Sequence, residues 1–447
     1  MEGLEKITSL AKRRGFVYPG SEIYGGLSGF YDFGPLGVEL KFNIKQAWWS
    51  EMVQMKDDIK GLSSAIIMNP KIWEASGHLS GFSDLLVECP KCHKRFKTED
   101  LTKKGDSFVC PECDNTFQSK ARQFNLMFKT FVGPAEDSVS AAYLRPETAG
   151  GIFVNFKNVL DTTRLKIPFG IAQIGKAFRN EINPKDFIFR TREFEQMELE
   201  YFVKPEEADR YFKEWVETRF DWYQTLGLKN IRKREQAKEE RAHYSKATVD
   251  IEYQFPFGWQ EIEGIANRSD FDLKAQMKFS GKDLNYFDEE TKEKFVPYVI
   301  EPSAGVERIF FALLCEAYAE EQIAKNEKRI VLKLNPQLAP YKVAVFPLLA
   351  NKPKLVELAR SIYKNLKKDF AVAWDDRGNI GKRYFSQDEI GTVLAVTVDF
   401  QSLEDQTVTL RDRDTTKQIR TSTSELKEVI KKIINGEEFL KFGKLVK

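Results

Sequence analysis

Two runs between residues 169 and 203 set fixed cations, fixed carboxylates and one aromatic ring at alternate positions. In "FGIAQIGKAFRNEI", Gln173, Arg179 and Glu181 share one parity. In "FRTREFEQMELEYF", Arg190, Arg192, Phe194, Gln196, Glu198 and Glu200 share one parity, and Met197, Leu199, Tyr201 and Val203 share the other. A guanidinium on a rigid strand keeps the planar fork that grips phosphate or carboxylate bidentately. A phenylalanine among charges exposes apolar surface unless something flat stacks on it. Cations, acceptors and a ring on one face suit a nucleotide. The bland alternative is a solvated sheet surface laced with cross-strand ion pairs, and both readings stay open on these residues alone.

A second group with chemistry in it is the cysteines. "CPKC" (Cys89, Cys92) and "CPEC" (Cys110, Cys113) are two short knuckles separated by residues 93–109. Such a pair offers a tetrahedral thiolate cage, the pattern of structural zinc. Disulfides are the alternative, disfavoured in a chain whose start reads as cytoplasmic. With sulfur at all four positions, no place is left for a catalytic water. Cys315, in the apolar helical run "IFFALLCEAY", reads as a small core residue.

The elements that must position these groups follow from periodicity. Strict alternation predicts strands with one buried face, and Asn183-Pro184 between the two runs predicts a turn, so the pair should form a long antiparallel hairpin. A helix is expected over residues 38–55, behind Pro35 and Gly37. Another is expected over 205–227, and the stretch from Ala242 to Leu273 alternates again. Near residue 296 a strand should pass through Pro302 and Gly305 into a helix, with Ser303 as its cap and Arg308 in its first turns. The cysteine region, 87–120, looks inserted into a larger domain. After "RIVLKLNPQLAP" the pattern turns β-α-β, which implies a small α/β domain. The expected organisation is α+β, with domains at 1–337 and 338–447.

The 447 residues are 42% hydrophobic and 30% charged, with a net charge of +2. That supports two or three domains with ample cores. No apolar run approaches membrane-spanning length. The start "MEGLEKITSLAKRRGF" resembles neither a signal nor a transit peptide, so a cytoplasmic location is expected. The mildly basic C-terminal part is compatible with a nucleic-acid partner without demanding one.

Long motifs spread over nearly the whole chain bring these parts together. "SGFYDFGPLG", "WEASGH", "LRPETAGGIFVNF", "AQIGKAFRNEI", "FRTREFEQMELEYF", "AHYSKATVDIEY", "EGIANRSDFDL", "EPSAGVERI" and "GKRYFSQDEIG" resemble the glycyl-tRNA synthetases of the single-chain, homodimeric kind, which are class II aminoacyl-tRNA synthetases. The resemblance implies an antiparallel sheet flanked by helices, a zinc-ribbon-like insertion and a C-terminal α/β anticodon-binding domain. It also implies a ligase that uses ATP and Mg²⁺ to activate glycine and then loads tRNA(Gly), working as a homodimer away from any membrane.

Carried over residue by residue, the resemblance places Arg179 on the α-phosphate and Phe194 on adenine. Glu181 and the region of Arg190 take the nucleotide edge, and Arg308 faces the γ-phosphate side and adenine. Glu261 and Ile262 meet ATP, with Glu261 helping to hold Mg²⁺. The wider ATP set takes in Asn180, Phe189, Thr191, Arg192, Glu193, Gly305, Val306 and Glu307. For glycine the transferred residues are Glu147, Glu198, Glu301 and Ser303, with Lys97, Phe194, Glu195, Gln196, Met197, Pro302, Ala304 and Gly305 around them. Several carboxylates around one small ammonium give tight recognition and leave little room for a side chain.

Two positions depart from the family's pattern. Its "RPETAQG" stands here with Gly150 in place of the amide, and the run after the first cysteine pair ends in Lys97 where arginine is common. His78 is expected either to close over the tRNA end or to be a plain polar loop residue, and Glu200 to be a plain sheet-face carboxylate. The alternatives are a related class II synthetase for another small amino acid, or a synthetase-like paralogue that only binds tRNA.

Overall fold

The computed structural model describes residues 2–446 apart from 138, 243, 325 and 326. An N-terminal helix, α1 (Glu2–Arg13), precedes α2 (Pro35–Trp49), which opens with proline at its first turn, where a missing N–H costs nothing. Residues Ser50–Gln54 continue α2 as a π-turn, so the helix expected through residue 55 begins and ends earlier.

The large sheet has seven strands. They are β1 (Ile59–Gly61), β2 (Phe169–Phe178), β3 (Glu193–Val203), β4 (Ile231–Glu235), β5 (Ala247–Phe255), β6 (Gly258–Ser269) and β7 (Tyr298–Gly305). Their order across the sheet is β4-β5-β6-β7-β3-β2-β1, with only β1 parallel to its neighbour. The predicted hairpin is β2–β3, in register from Phe169↔Phe202 to Phe178↔Glu193. Its second strand starts at Glu193, later than the alternation suggests. Upstream of it, Asp186 and Phe187 take positive φ, and Phe189 packs edge-on against Phe255 and Phe257. Aromatic packing holds that turn out of the ladder.

The odd-numbered face of β3 joins the main core, with Met197, Leu199, Tyr201 and Val203 among its members. The even face was expected to be open, and it is not. From Gln196 onward every residue of β3 is buried. Helical segments Ala149–Val154 and Phe156–Thr163, with α3 (Ala208–Thr225) on the other side and α4 (Phe271–Ser280), close over the sheet. Phe153, Phe156, Phe169, Ile171, Phe202 and Leu273 form a second apolar cluster there. Glu198 and Glu200 therefore sit in an interior, not on a surface.

β7 runs into α5 (Val306–Ala317), whose N-cap is Gly305 without a side-chain cap. Ser303 is inside the strand and donates to Glu198 Oε1 at 2.7 Å, so it does not cap the helix as its type suggests. A buried carboxylate is the stronger acceptor partner for that hydroxyl.

The cysteine region builds two small three-stranded sheets around Val87, Phe96, Leu101 and Phe117. Beyond a hairpin of β8 (Tyr318–Ala324) and β9 (Glu327–Leu332), the chain enters a six-stranded sheet. Its β10 (Val343–Pro347), β11 (Val372–Trp374) and β12 (Leu394–Val398) are mutually parallel through β10, as β-α-β units require. The intervening helices are α6 (Pro353–Leu366) and α7 (Ile380–Glu389). β13 (Thr407–Asp412), β14 (Gln418–Ser422) and β15 (Lys444–Leu445) complete it antiparallel. The motif "GKRYFSQDEIG" lies on α7, where Asp388 accepts from Arg329 of β9 at 2.8 Å and from Arg411 of β13 at 2.8 and 2.9 Å. No described helix is long and apolar enough to cross a membrane.

Candidate active site

The β2–β3 hairpin and the β7–α5 junction form the floor and one wall of a cleft of about 240 Å³. Arg179, one residue past β2, points into it, with its guanidinium 5.4 Å from the Phe194 ring and 5.6 Å from that of Phe82. Its Nε donates to Pro146 O at 3.0 Å, which leaves the terminal nitrogens free to turn toward the cleft. Arg308 enters from α5, stacked 4.5 Å from the Phe189 ring, with Nη1 3.3 Å from Glu261 Oε2 and 3.0 Å from Glu261 O. Glu181, Arg190, Thr191, Gln196, Gly305 and Glu307 complete the lining with Lys97. Cations at both ends and a ring between them can hold an extended polyphosphate and a base.

A second cavity of about 260 Å³ adjoins the first and shares Arg179, Gln196, Glu261 and Ser303 with it. Its lining is acidic, with Glu147, Glu198, Glu301 and Asp250. The 145–148 segment is anchored by Arg145, whose Nε donates to Lys176 O at 2.6 Å and whose Nη1 donates to Ser64 O at 3.0 Å. Gly175 makes that crossing possible, since a Cβ there would lie 2.2 Å from Arg145 Nη2. Glu198 accepts from Thr148 N at 2.8 Å, from the Thr148 hydroxyl, from Gln196 Nε2 at 2.9 Å and from Ser303. Glu301 takes Arg268 Nη1 on both oxygens at 2.9 Å.

Electrostatics divides these carboxyls. Burial pushes Glu147 up, but His78, Arg268 and Arg179 outweigh it and hold the carboxyl at about 2. Burial and the charge of Glu147 push Glu198 up, with Thr148 and Ser303 pulling against them. Burial also lifts Asp250 to about 6, helped by Glu261. The pocket is a strongly acidic cup with room for one small cation.

Two family models match the chain. Residues 131–318 match the tRNA synthetase class II core domain (G, H, P, S and T), and residues 342–433 match the anticodon binding domain. The chain is 55% identical to a glycine–tRNA ligase of Borreliella burgdorferi over 98% of this chain and 99% of that one. It is 52% identical to that of Geobacillus kaustophilus over 96% and 99%, and 53% identical to that of Alkaliphilus oremlandii over 95% and 96%. The chain belongs to the glycine–tRNA ligases.

Within this ligase, many of the residues transferred by resemblance line one or both cavities. Glu181, Phe189, Arg190, Thr191, Phe194, Gly305, Glu307 and Arg308 line the first cavity, Glu147, Glu198 and Glu301 line the second, and Arg179, Gln196, Glu261 and Ser303 line both. Others are turned away. Met197, Ala304, Val306 and Ile262 are in the main core, so only their backbones face the site's layer. Pro302 is buried too. Glu195 lies on the opposite face, paired with Lys41 at 2.6 Å and Lys45 at 2.9 Å. For Met197 and Glu195, odd parity on β3 decides it.

Three more residues of the expected ATP set make contacts outside the first cavity's lining. Arg192 donates to Ser28 O and Glu181 O at 2.6 and 2.9 Å, which ties the hairpin turn to the N-terminal loop. Asn180 donates its N–H to Leu126 O at 2.7 Å, and Glu193 pairs with Lys176 on the outside. Lys97 stands by the first cavity, not the second, in ion pairs with Asp84 at 2.6 Å and Glu181 at 3.6 Å. His78 is no surface loop residue. Its Nε2 is 3.4 Å from Glu147 Oε2, Nδ1 is 2.7 Å from Ser76 Oγ, and Trp73 and Phe82 flank the ring. Gly150 has a packing reason, since a Cβ there would meet Trp73 Cζ3 at 2.9 Å.

Arg268 was missed. It is almost fully buried, joins Glu301 to Asp272 at 2.7 Å and lies 3.8 Å from the Tyr244 ring. Its only local signal is the i,i+4 spacing to Asp272 inside "NRSDFD".

The four cysteine sulfurs lie within 4.8 Å of one another. Cys89–Cys113 is 3.7 Å and Cys92–Cys110 is 3.6 Å, far longer than a disulfide's S–S bond of about 2.05 Å. A tetrahedral cage with metal–sulfur bonds of about 2.3 Å has edges of about 3.8 Å, so the donor set fits a metal ion. Both knuckles turn alike, with His93 N donating to Cys89 O at 2.9 Å and Asp114 N to Cys110 O at 3.0 Å.

Proposed function

We propose that this ligase joins glycine to ATP in the two adjoining cavities, forming glycyl-adenylate and pyrophosphate, and then passes the glycyl group to the 3′-hydroxyl of the terminal adenosine of tRNA(Gly). The observation that carries this reading is the position of Arg179, which lines both cavities at their junction. A glycine carboxylate is already ionised, so the attack on the α-phosphate needs no general base. The protein's task is to align two anions and offset the charge that develops between them. Arg179 serves the α-phosphate and Arg308 the far phosphates, while Phe194 stacks on adenine. Glu261 offers the hard oxygen donor that Mg²⁺ prefers, and the ion would neutralise phosphate charge when bound. Glu147, Glu198 and Glu301 hold the ammonium. Glycine-dependent exchange of pyrophosphate into ATP tests the reading directly, and equal exchange with alanine or serine would overturn the choice of glycine.

The domain division at 1–337 and 338–447, tRNA(Gly) as partner of the C-terminal sheet, and a cytoplasmic location belong to the same proposal. So does a homodimer, supported by the exposed apolar residues Val38 and Phe42 on one turn of α2 and by Ile23, Tyr24 and Leu27 before it.

Phe194→Ala should raise the KM for ATP with a smaller change in kcat. Losing base–aromatic stacking costs roughly 1 to 3 kcal/mol. An unchanged KM for ATP in pyrophosphate exchange would move adenine elsewhere.

We further propose that Cys89, Cys92, Cys110 and Cys113 hold one structural zinc. Elemental analysis should find about one zinc per chain, as a closed four-thiolate site requires. Cys110→Ser should loosen residues 83–125 to proteolysis more than it alters adenylate formation, because the closed four-thiolate site leaves no position for water or substrate. Purified protein free of zinc would sink this assignment.

A further inference from the structure

Beneath the acidic cup lies a carboxyl that none of these roles uses. Glu200 follows Glu198 by one strand repeat on the same face of β3, is wholly shielded from solvent, and has no hydrogen-bond partner for either oxygen among the described protein atoms. The charged groups around it come from four elements. They are Glu198 on β3, Glu301 on β7, Arg268 on β6 and Asp272 on α4, with Tyr244 against Arg268. Glu147 reaches the same group from the 145–148 segment, where it faces His78 and Arg179. Among the described residues Arg268 is the cation that acts on Glu200, and four of its five N–H groups are committed elsewhere. Nε and Nη2 go to Asp272 at 2.7 Å, and Nη1 goes to both oxygens of Glu301. Arg268 favours a charge on Glu200 through space but donates it no hydrogen bond. Burial also raises Glu301, to about 8, against the two bonds it accepts from Arg268. Glu200, with no donor on either oxygen, is the carboxyl of the cluster that holds a proton most firmly. Burial first, and the charge of Glu301 second, push its carboxyl well above the usual range.

We infer that Glu200 links glycine binding to a proton: it is neutral in the empty pocket and releases its proton to solvent when the ammonium of glycine docks among Glu147, Glu198 and Glu301. One strand repeat is about 7 Å, within the screening length of about 8 Å at physiological salt. The arriving positive charge therefore offsets the repulsion that keeps Glu200 protonated. One O–H bond breaks, the proton goes to buffer, and no other bond changes. The inference rests on the glycine reading above and adds a proton to its stoichiometry.

Calorimetric titration of glycine into the full-length chain, without ATP, tests it in buffers of different ionisation enthalpy. The heat should vary with the buffer in the sense of proton release, approaching one proton per glycine. Over the window between the two states' pKa values, glycine affinity should rise by up to about tenfold per pH unit, scanned from about pH 6 to about pH 9. Glu200→Gln copies the neutral acid's shape without its proton. It should bind glycine with buffer-independent heat and a flat pH dependence, which a purely structural role would not produce. A raised carboxyl pKa costs stability as pH rises above the unfolded carboxyl's range, so this variant should melt no lower than the wild type in mild alkali. Should it nevertheless fail to fold, the wild-type heats decide alone. Buffer-independent heat in the wild type, or proton release that persists in Glu200→Gln, overturns the inference while leaving glycine as the substrate. Absence of any glycine binding removes both.

Discussion

Arg179→Ala should slow glycine-dependent pyrophosphate exchange by about 100- to 1000-fold, the roughly 3 to 4 kcal/mol lost when one transition-state donor is removed. The expectation follows from where the side chain is held. Its Nε is fixed to Pro146 O at 3.0 Å and its plane is set between Phe82 and Phe194, so the outer nitrogens need little reorganisation to meet a phosphate. The same backbone carbonyl belongs to the segment that carries Glu147. Glycine binding should therefore weaken as well, though far less than kcat falls. Arg179→Lys should recover only part of the rate, since an ammonium keeps the charge but lacks the planar fork. Near wild-type exchange in Arg179→Ala would remove the hairpin from the chemistry.

Glu301→Gln is expected to raise the KM for glycine steeply. Truncating one partner of a buried charge pair costs about 2 to 5 kcal/mol, or roughly 30-fold and upward. Here the loss is double, because Glu301 is both a wall of the ammonium site and the partner of Arg268 at 2.9 Å. Arg268, itself buried, would be left with Asp272 as its remaining carboxylate partner. The measurement is pyrophosphate exchange against glycine concentration, with ATP saturating. An unchanged KM would place the ammonium elsewhere. Alanine should support almost no exchange in the wild type, because a methyl group must enter beside Ser303 and Gly305, whereas adding a methylene to a roomy pocket would cost only about 1 to 3 kcal/mol. No hydrolytic proofreading should be needed.

Much of this was written in local sequence, and for a physical reason. Strand alternation is a two-residue property, so Arg179, Phe194, Gln196 and Glu198 could be assigned to one face of a hairpin before any fold was known. The cysteine knuckles are equally local, since two short turns bring each pair of sulfurs together. Strands alternating with helices after residue 340 likewise sufficed for the α/β character of the C-terminal sheet.

What alternation cannot report is whether the second face of a strand meets water. That was decided by helices at 149–163 and at Phe271–Ser280, which are distant in sequence and cover β3 only in the folded chain. Their arrival turned Glu198 and Glu200 from ordinary surface carboxylates into buried ones, and it seated Arg268 between Glu301 and Asp272. The same long-range packing carried Lys41 and Lys45 to Glu195, Trp73 to Gly150 and His78 to Glu147. Residue type and spacing fixed which groups could do chemistry here. Desolvation and the charges packed around each side chain decided which carboxyls are pushed up, as Glu198, Glu200 and Glu301 are, and which are held down, as Glu147 is.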